Sequence, residues 1–287
     1  MYLLIISLIS SLLVGFVLKT SKISNIKDLI VIITVNYITA ILATYIIFNN
    51  LIELNINNFG FYDICIFTCL GILMPTIFLI LKKSLDLSGI VKTDLFQRIS
   101  LIIPVSLSFF LFNEILTISK LIAIILSFIS VFLLLYKKST NNGNHNTLYL
   151  LFVFLGYGVV DTLFKIVATN NQLPYITSLF LIFILCGLTS IVYLLVFKSA
   201  LKIKLISKGL ILGTLNFTNI YFYMKAHKYY YETPTLVFIT MNLGVILGGL
   251  LIGKFYFNEN INKVAYFGIL SAIISVILLA LIQLNYI

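Results

Sequence analysis

The sequence predicts an all-α integral membrane protein whose ten transmembrane helices form two inverted five-helix repeats. Three observations carry this expectation. Of 287 residues, 61% are hydrophobic and 10% charged, against roughly a quarter charged in soluble domains. Apolar runs recur along the chain, each near the ~20 residues that cross a hydrocarbon core as helix. The polar triplet Phe112-Asn113-Glu114 returns as Phe257-Asn258-Glu259, 145 positions later.

The spans expected are 2–18, 28–49, 60–81, 87–111, 117–136, 147–169, 174–197, 206–226, 233–256 and 262–284. Transmembrane strands would alternate polar and apolar residues over about ten positions, whereas these runs are apolar all round. A helix satisfies its own backbone in lipid, so helices are the consistent solution. The first run lacks a basic leader and is followed by Lys19, Lys22 and Lys27, which marks a span and not a secretory signal. Pro75 and Pro104 fall inside the third and fourth spans and are expected to kink them. Gly244, Gly248, Gly249 and Gly253 in the ninth read as small-residue stripes for close helix approach. Cys65, Cys69 and Cys186 lie within spans, where apolar packing explains them better than a metal.

Sliding the chain by 145 also lays ISVFLLL (129–135) on ISVILLA (274–280), pairing Ser130 with Ser275. Each half then holds five spans, with boundaries of 1–138 for the first repeat, 139–146 for a linker and 147–287 for the second. An odd span count sends the second unit into the membrane from the opposite side, an architecture found in transporters, with the substrate site near the midplane where the halves meet. The repeated triplet itself reads as a turn. Phe anchors a helix end at the interface, Asn adopts the left-handed closing conformation, and Glu114 or Glu259 suits a helix N-terminus.

Ten spans as five plus five, Pro104 in the fourth span, and the Asn113-Glu114 and Asn258-Glu259 turns before a last apolar helix resemble the drug/metabolite transporter superfamily, in particular its EamA-type members. The resemblance spans nearly the whole chain. It implies a transporter of a small polar metabolite and leaves the substrate open among amino acids and derivatives, sugars, nucleotide sugars, purines and cationic drugs.

Charges inside spans are the functional candidates. Arg98 is the single arginine, near the middle of the fourth span, and a central Arg, Lys or Asp costs about 2.5 to 3.5 kcal/mol on insertion scales. Asp94 precedes Arg98 by four residues, as Asp161 precedes Lys165 in the sixth span; this spacing puts acid and base on one helix face. Such pairs either neutralise buried charge or release one member to a substrate or proton. Arg98 offers a planar fork for carboxylate or phosphate, and Asp161 is the expected proton carrier, since desolvation raises a carboxylate pKa. Asn216, Asn219 and Tyr223 recur at helical spacing in the eighth span, and Asn36, Gln97 and Asn242 complete the expected substrate lining; each could equally serve as interhelical glue.

The net charge of +10 is spread along membrane edges, which excludes a nucleic-acid partner and suits anionic headgroups. Lysines concentrate on the loops of one face, which the positive-inside rule makes cytoplasmic, with both termini outside; the family resemblance implies cytoplasmic termini instead. The expected partners are a small-molecule substrate, the bilayer and a coupling proton, in a monomer or homodimer of a bacterial inner membrane, with no cofactor or metal. The histidines, His145 and His227, fall in or beside loops and no nucleophile or metal motif accompanies them, so an intramembrane enzyme is disfavoured. A passive channel is the other competing class.

Overall fold

A computed structural model describes residues 1–20, 23, 25–52, 60–135, 147–170, 173–256 and 263–284, and these are helical almost throughout. The helices are α1 (Tyr2–Thr20), α2 (Ile26–Phe48), α3 (Phe61–Ser88), α4 (Ile90–Ile99), α5 (Ile102–Phe110), α6 (Ile118–Leu135), α7 (Thr147–Thr169), α8 (Tyr175–Val196), α9 (Ile203–Tyr229), α10 (Pro234–Tyr256) and α11 (Lys263–Gln283). Eight of them are long and apolar enough to cross a membrane. The chain is an integral multi-pass membrane protein. The expected linker at 139–146, His145 and the second triplet Phe257-Asn258-Glu259 lie outside the described residues.

The expected fourth span is two helices, not one kinked helix. Proline lacks an N–H and its ring clashes with the carbonyl four residues back; for Pro104 that carbonyl belongs to Ser100. The chain answers with a tight turn at Ser100 and Leu101, in which Leu101 N donates to Arg98 O (3.3 Å) and Ile103 N to Ser100 O (3.0 Å). Pro75, by contrast, is accommodated inside the continuous α3.

Polarity is inverted relative to a soluble bundle. On α6, Ser127 and Ser130 are buried while Ile125 and Phe132 are about half exposed, and on α11 Ser275 is buried while Phe267 is 69% exposed. Aliphatic residues turned outward and hydroxyls turned inward are what lipid as solvent selects, because lipid is no less apolar than leucine and only polar and packing contacts distinguish the inside.

Two compact units account for the packing: residues 1–82 with 163–228, and residues 83–162 with 229–287. Each draws on both sequence halves, so the repeat is interleaved. The first contains α1, α2, most of α3, the end of α7, α8 and most of α9; the second contains α4, α5, α6, most of α7, α10 and α11.

Within the second unit the repeat can be read atom by atom. Ser130 Oγ donates to Gly268 O (2.8 Å) and Ser275 Oγ to Ala123 O (2.7 Å). Adding 145 to 130 gives 275, and adding 145 to 123 gives 268, so the two bonds are copies of each other. A third, Ser271 Oγ to Leu126 O (2.8 Å), joins a residue to its own counterpart. The partner numbers sum to nearly the same value, 398 or 397, so α6 and α11 run antiparallel across a local two-fold axis near Leu126 and Ser271. Gly268 makes the approach close: a Cβ there would lie 2.8 Å from Leu134 Cγ.

The first unit repeats the logic with α2 and α8, also counterparts. Thr34 Oγ1 donates to Ser190 O (3.2 Å), while Tyr45 stacks on Phe180 with centroids 6.3 Å apart; rising numbers on one helix meet falling numbers on the other. The glycines that seat helices closely here are Gly209 and Gly213 of α9, where a Cβ would meet Val35 and Thr39 of α2 at 2.5 Å. Gly249, expected to do so in α10, has nothing within 4 Å.

Equivalent hydrogen bonds predict equivalent costs. Ser130→Ala and Ser275→Ala should each lower stability by about 0.6 to 1.7 kcal/mol, the range for interhelical bonds in membranes, and by similar amounts. Gly268→Leu should cost more, because bulk would force the α6–α11 contact apart. Thermal unfolding of the purified protein in detergent checks both.

Candidate functional site

The break between α4 and α5 places Arg98 in the last turn of a half-helix, where the carbonyl end carries partial negative charge and favours a cation. Its guanidinium is held on two sides. Nε pairs with Asp94 Oδ1 (3.3 Å), the i, i+4 pair expected from sequence. Nη1 donates to Asn242 Oδ1 (3.3 Å), while Asn242 Nδ2 donates to Arg98 O (3.1 Å). Asn242 thus holds Arg98 by side chain and backbone together, as a second donor to a carbonyl that Leu101 N also reaches.

Subtracting 145 from Asn242 gives Gln97, and adding 145 to Arg98 gives Leu243. An amide occupies both counterpart positions, but the arginine occurs only once, so charge breaks the symmetry of an otherwise symmetric place. Side-chain exposures of 18% for Arg98 and 34% for Asp94 leave the pair accessible, and its two contacts use only Nε and Nη1 of a five-donor fork. Tyr157 of α7 lies within electrostatic reach of Arg98, Asp94 and Asp161. Sequence reasoning passed over Tyr157, although its spacing of four before Asp161 was a usable signal.

The remaining expected residues belong to the first unit and divide by role. Asn36 and Asn216 are buried and line a small cavity with Val14, Ile33, Phe78 and Leu212. Asn219 does not line it; Ser7 of α1 donates to both its side-chain Oδ1 (2.8 Å) and its carbonyl (3.0 Å), which is helix-to-helix glue. Tyr223 packs edge-on against His227 (4.6 Å) and Phe164 (6.4 Å). Lys165 is buried, with Nζ 3.4 Å from the His227 carbonyl. His227 itself is fully buried in the last turn of α9, which runs to Tyr229. Among the described residues no group of three or more His, Cys, Asp or Glu could hold a metal.

The first Phe-Asn-Glu triplet is a turn, as expected, with Asn113 at φ 53°. Its acid does more than sit near the next helix. Glu114 Oε2 accepts from Thr235 N (3.1 Å) and Thr235 Oγ1 (2.6 Å), capping α10 from the other half of the sequence, and Oε1 pairs with Lys120 Nζ at 3.1 Å. Lys120 also donates to Ile115 O (2.9 Å). Both side chains are buried, 1% exposed for Glu114 and 8% for Lys120, and the capping bonds are what make such burial tolerable. The partner in α10 lies 121 residues away, so no local pattern pointed to it.

No family model matches the chain. It is 36% identical over 280 residues to an uncharacterized protein of Haemophilus influenzae, covering 94% of each. A crystal structure of a protein superposes with a TM-score of 0.70 over 99% of this chain and 97% of that one, at 11% identity, a likeness of fold alone.

Removing one member of the Glu114–Lys120 pair leaves a buried charge uncompensated. Lys120→Met or Glu114→Gln alone should cost about 3 to 5 kcal/mol. The double variant should cost less than the sum, because each single change already carries the penalty of an orphaned partner. Unfolding of the four proteins in a double-mutant cycle reads this coupling.

Proposed function

The chain belongs to the same family as the uncharacterized Haemophilus influenzae protein, and from that starting point we propose that it is a secondary active transporter of a small, carboxylate-bearing metabolite, such as an amino acid or derivative, working by alternating access. The observation that carries this reading is the position of Arg98. A lone guanidinium, fixed by Asn242, stands beside a break in the membrane-spanning helix. A site near the axis of two inverted repeats would meet equivalent surroundings when the repeats exchange conformations, which is the requirement for opening to either side.

Arg98 would bind the carboxylate through donors not engaged by Asp94 and Asn242, with the planar geometry that arginine matches to carboxylates. Asp94 would release the guanidinium in part as the substrate carboxylate takes its place. Asp161, in reach of the same cluster, is the proposed proton carrier, and Gln97 and Tyr157 the neutral lining. The resemblance of the five-plus-five arrangement to EamA-type transporters supports this reading and favours export. Sugars, nucleotide sugars and organic cations are the alternative cargoes of that fold, and Arg98 weighs against the last.

Charge-assisted hydrogen bonds contribute about 1.5 to 3 kcal/mol, so Arg98→Lys should reduce substrate flux into proteoliposomes by about 10- to 100-fold while the protein stays monodisperse. Asn242→Leu should act in the same direction by loosening the guanidinium. Wild-type flux should saturate and show counterflow, whereas a channel would show neither. Undiminished flux in a folded Arg98→Lys protein would overturn the assignment.

A further inference from the structure

We infer that the end of the first compact unit where α2, α8 and α9 meet binds an organic anion, a carboxylate or phosphate on an apolar body, at Lys225 and Lys228. The inference does not rest on the transporter reading, and Arg98 belongs to the other compact unit. Phe48 closes α2, Tyr175 opens α8, and Tyr221, Lys225 and Lys228 follow each other on α9 at spacings of four and three that share one helix face. Tyr221 is the centre of the assembly. Phe48 stacks on it with centroids 4.9 Å apart, Tyr175 lies 5.9 Å away and Phe217 6.1 Å. Two ammonium groups stand over these rings: Lys225 Nζ is 5.6 Å from the Tyr221 centroid, and Lys228 Nζ 5.4 Å from that of Tyr175. Both distances fall within the reach of cation–π attraction, about 6 Å, so the rings hold the two charges side by side.

Two cations one helical turn apart repel each other, and among the described residues no carboxylate offsets them. Neither Lys225 nor Lys228 forms an ion pair there. The described carboxylates of this unit are engaged elsewhere: Asp28 pairs with Lys202 (3.3 Å), and Asp63 accepts from Asn170 Nδ2 (2.7 Å) and Gly60 N (3.1 Å). The first turn of α8 holds no acidic residue. Interfacial anchoring explains the tyrosines, and snorkelling would explain one lysine, but neither requires two unpaired cations on adjacent rings. Together they make a centre of positive potential above an apolar floor, with Tyr175, Tyr221 and Lys225 half-buried and Lys228 exposed. A carboxylate or phosphate would meet both ammonium groups through charge-assisted hydrogen bonds, while its apolar body packs on the rings. An organic cation, which tyrosine faces also attract, would be repelled by both lysines.

Such an anion could come from two sources: a free metabolite or the headgroup of an anionic phospholipid. Benzoate is a suitable probe, joining one carboxylate to an apolar ring. Saturation-transfer NMR on the protein in phosphatidylcholine nanodiscs, which hold no anionic lipid, should show saturable benzoate binding. Benzamide, alike in shape but uncharged, should bind about tenfold more weakly. Lys225→Gln and Lys228→Gln should each weaken benzoate by about three- to tenfold, as partly exposed charges do, and the two together should abolish binding. Lys225→Arg combined with Lys228→Arg keeps both charges over the rings and should retain binding, which separates charge recognition from a folding defect. Arg98→Lys should leave the lysine-dependent binding unchanged, so the two sites are judged separately. Native mass spectrometry distinguishes the sources. An anionic phospholipid carried by the wild type and lost from the double glutamine variant identifies a headgroup; benzoate binding with no such lipid identifies a free metabolite. The inference is overturned if the wild type shows neither, if the double glutamine variant matches it in both, or if benzamide binds as tightly as benzoate.

Discussion

Two serines, each donating a hydrogen bond into the backbone of the other's helix, fix the relation on which the second compact unit is built. Ser130 reaches the Gly268 carbonyl and Ser275 the Ala123 carbonyl, and the shift by 145 turns one bond into the other. In lipid, aliphatic surfaces gain little by meeting each other, so register must come from packing and from the few polar groups available. A reciprocal pair specifies it twice. Once α6 and α11 are locked antiparallel, their partners have little freedom: α10 follows through the Glu114 cap, and the α4–α5 break meets α10 at Arg98 and Asn242.

The symmetric frame explains where asymmetry is tolerated. Position 98 is arginine and its counterpart 243 is leucine; position 104 is proline and its counterpart 249 is glycine. Both departures fall on the same stretch, so one copy is a broken helix with a charge at the break while the other, α10, runs unbroken. Pro104 breaks the helix at Ser100 and Leu101, which ends α4 at Ile99 and sets Arg98 in its last turn. The proline therefore acts on the candidate site through the backbone, four residues before itself, without touching any ligand.

How much of this the sequence disclosed depended on distance along the chain. Periodic, local signals sufficed for the helices: the bounds of α6 and α7 match expectation within a residue or two, and Asn113 adopts the left-handed turn that its type favours. The i, i+4 spacing sufficed for Asp94 and Arg98. What depended on partners far away in sequence was invisible. Glu114 was assigned to the start of the following helix, yet it caps α10. Asn219 shares a helical stripe with Asn216, yet Ser7 from α1 engages it. The fourth span was expected to kink; it breaks instead, with Ile103 N taking up the Ser100 carbonyl that Pro104 frees.

The two polar clusters illustrate different solutions to the same difficulty. In the second unit two charged clusters have answering groups: Arg98 has Asp94 and Asn242, and Glu114 has Lys120 and Thr235. Within these, accessibility differs sharply, since Glu114 is 1% exposed and Asp94 34%. A sealed pair resists exchange because separating it would strand both charges in a medium that solvates neither. A partly open pair can trade one partner for an incoming carboxylate, keeping the guanidinium neutralised throughout. That difference in exposure, more than the presence of charge, separates the pair that holds the fold from the pair suited to binding.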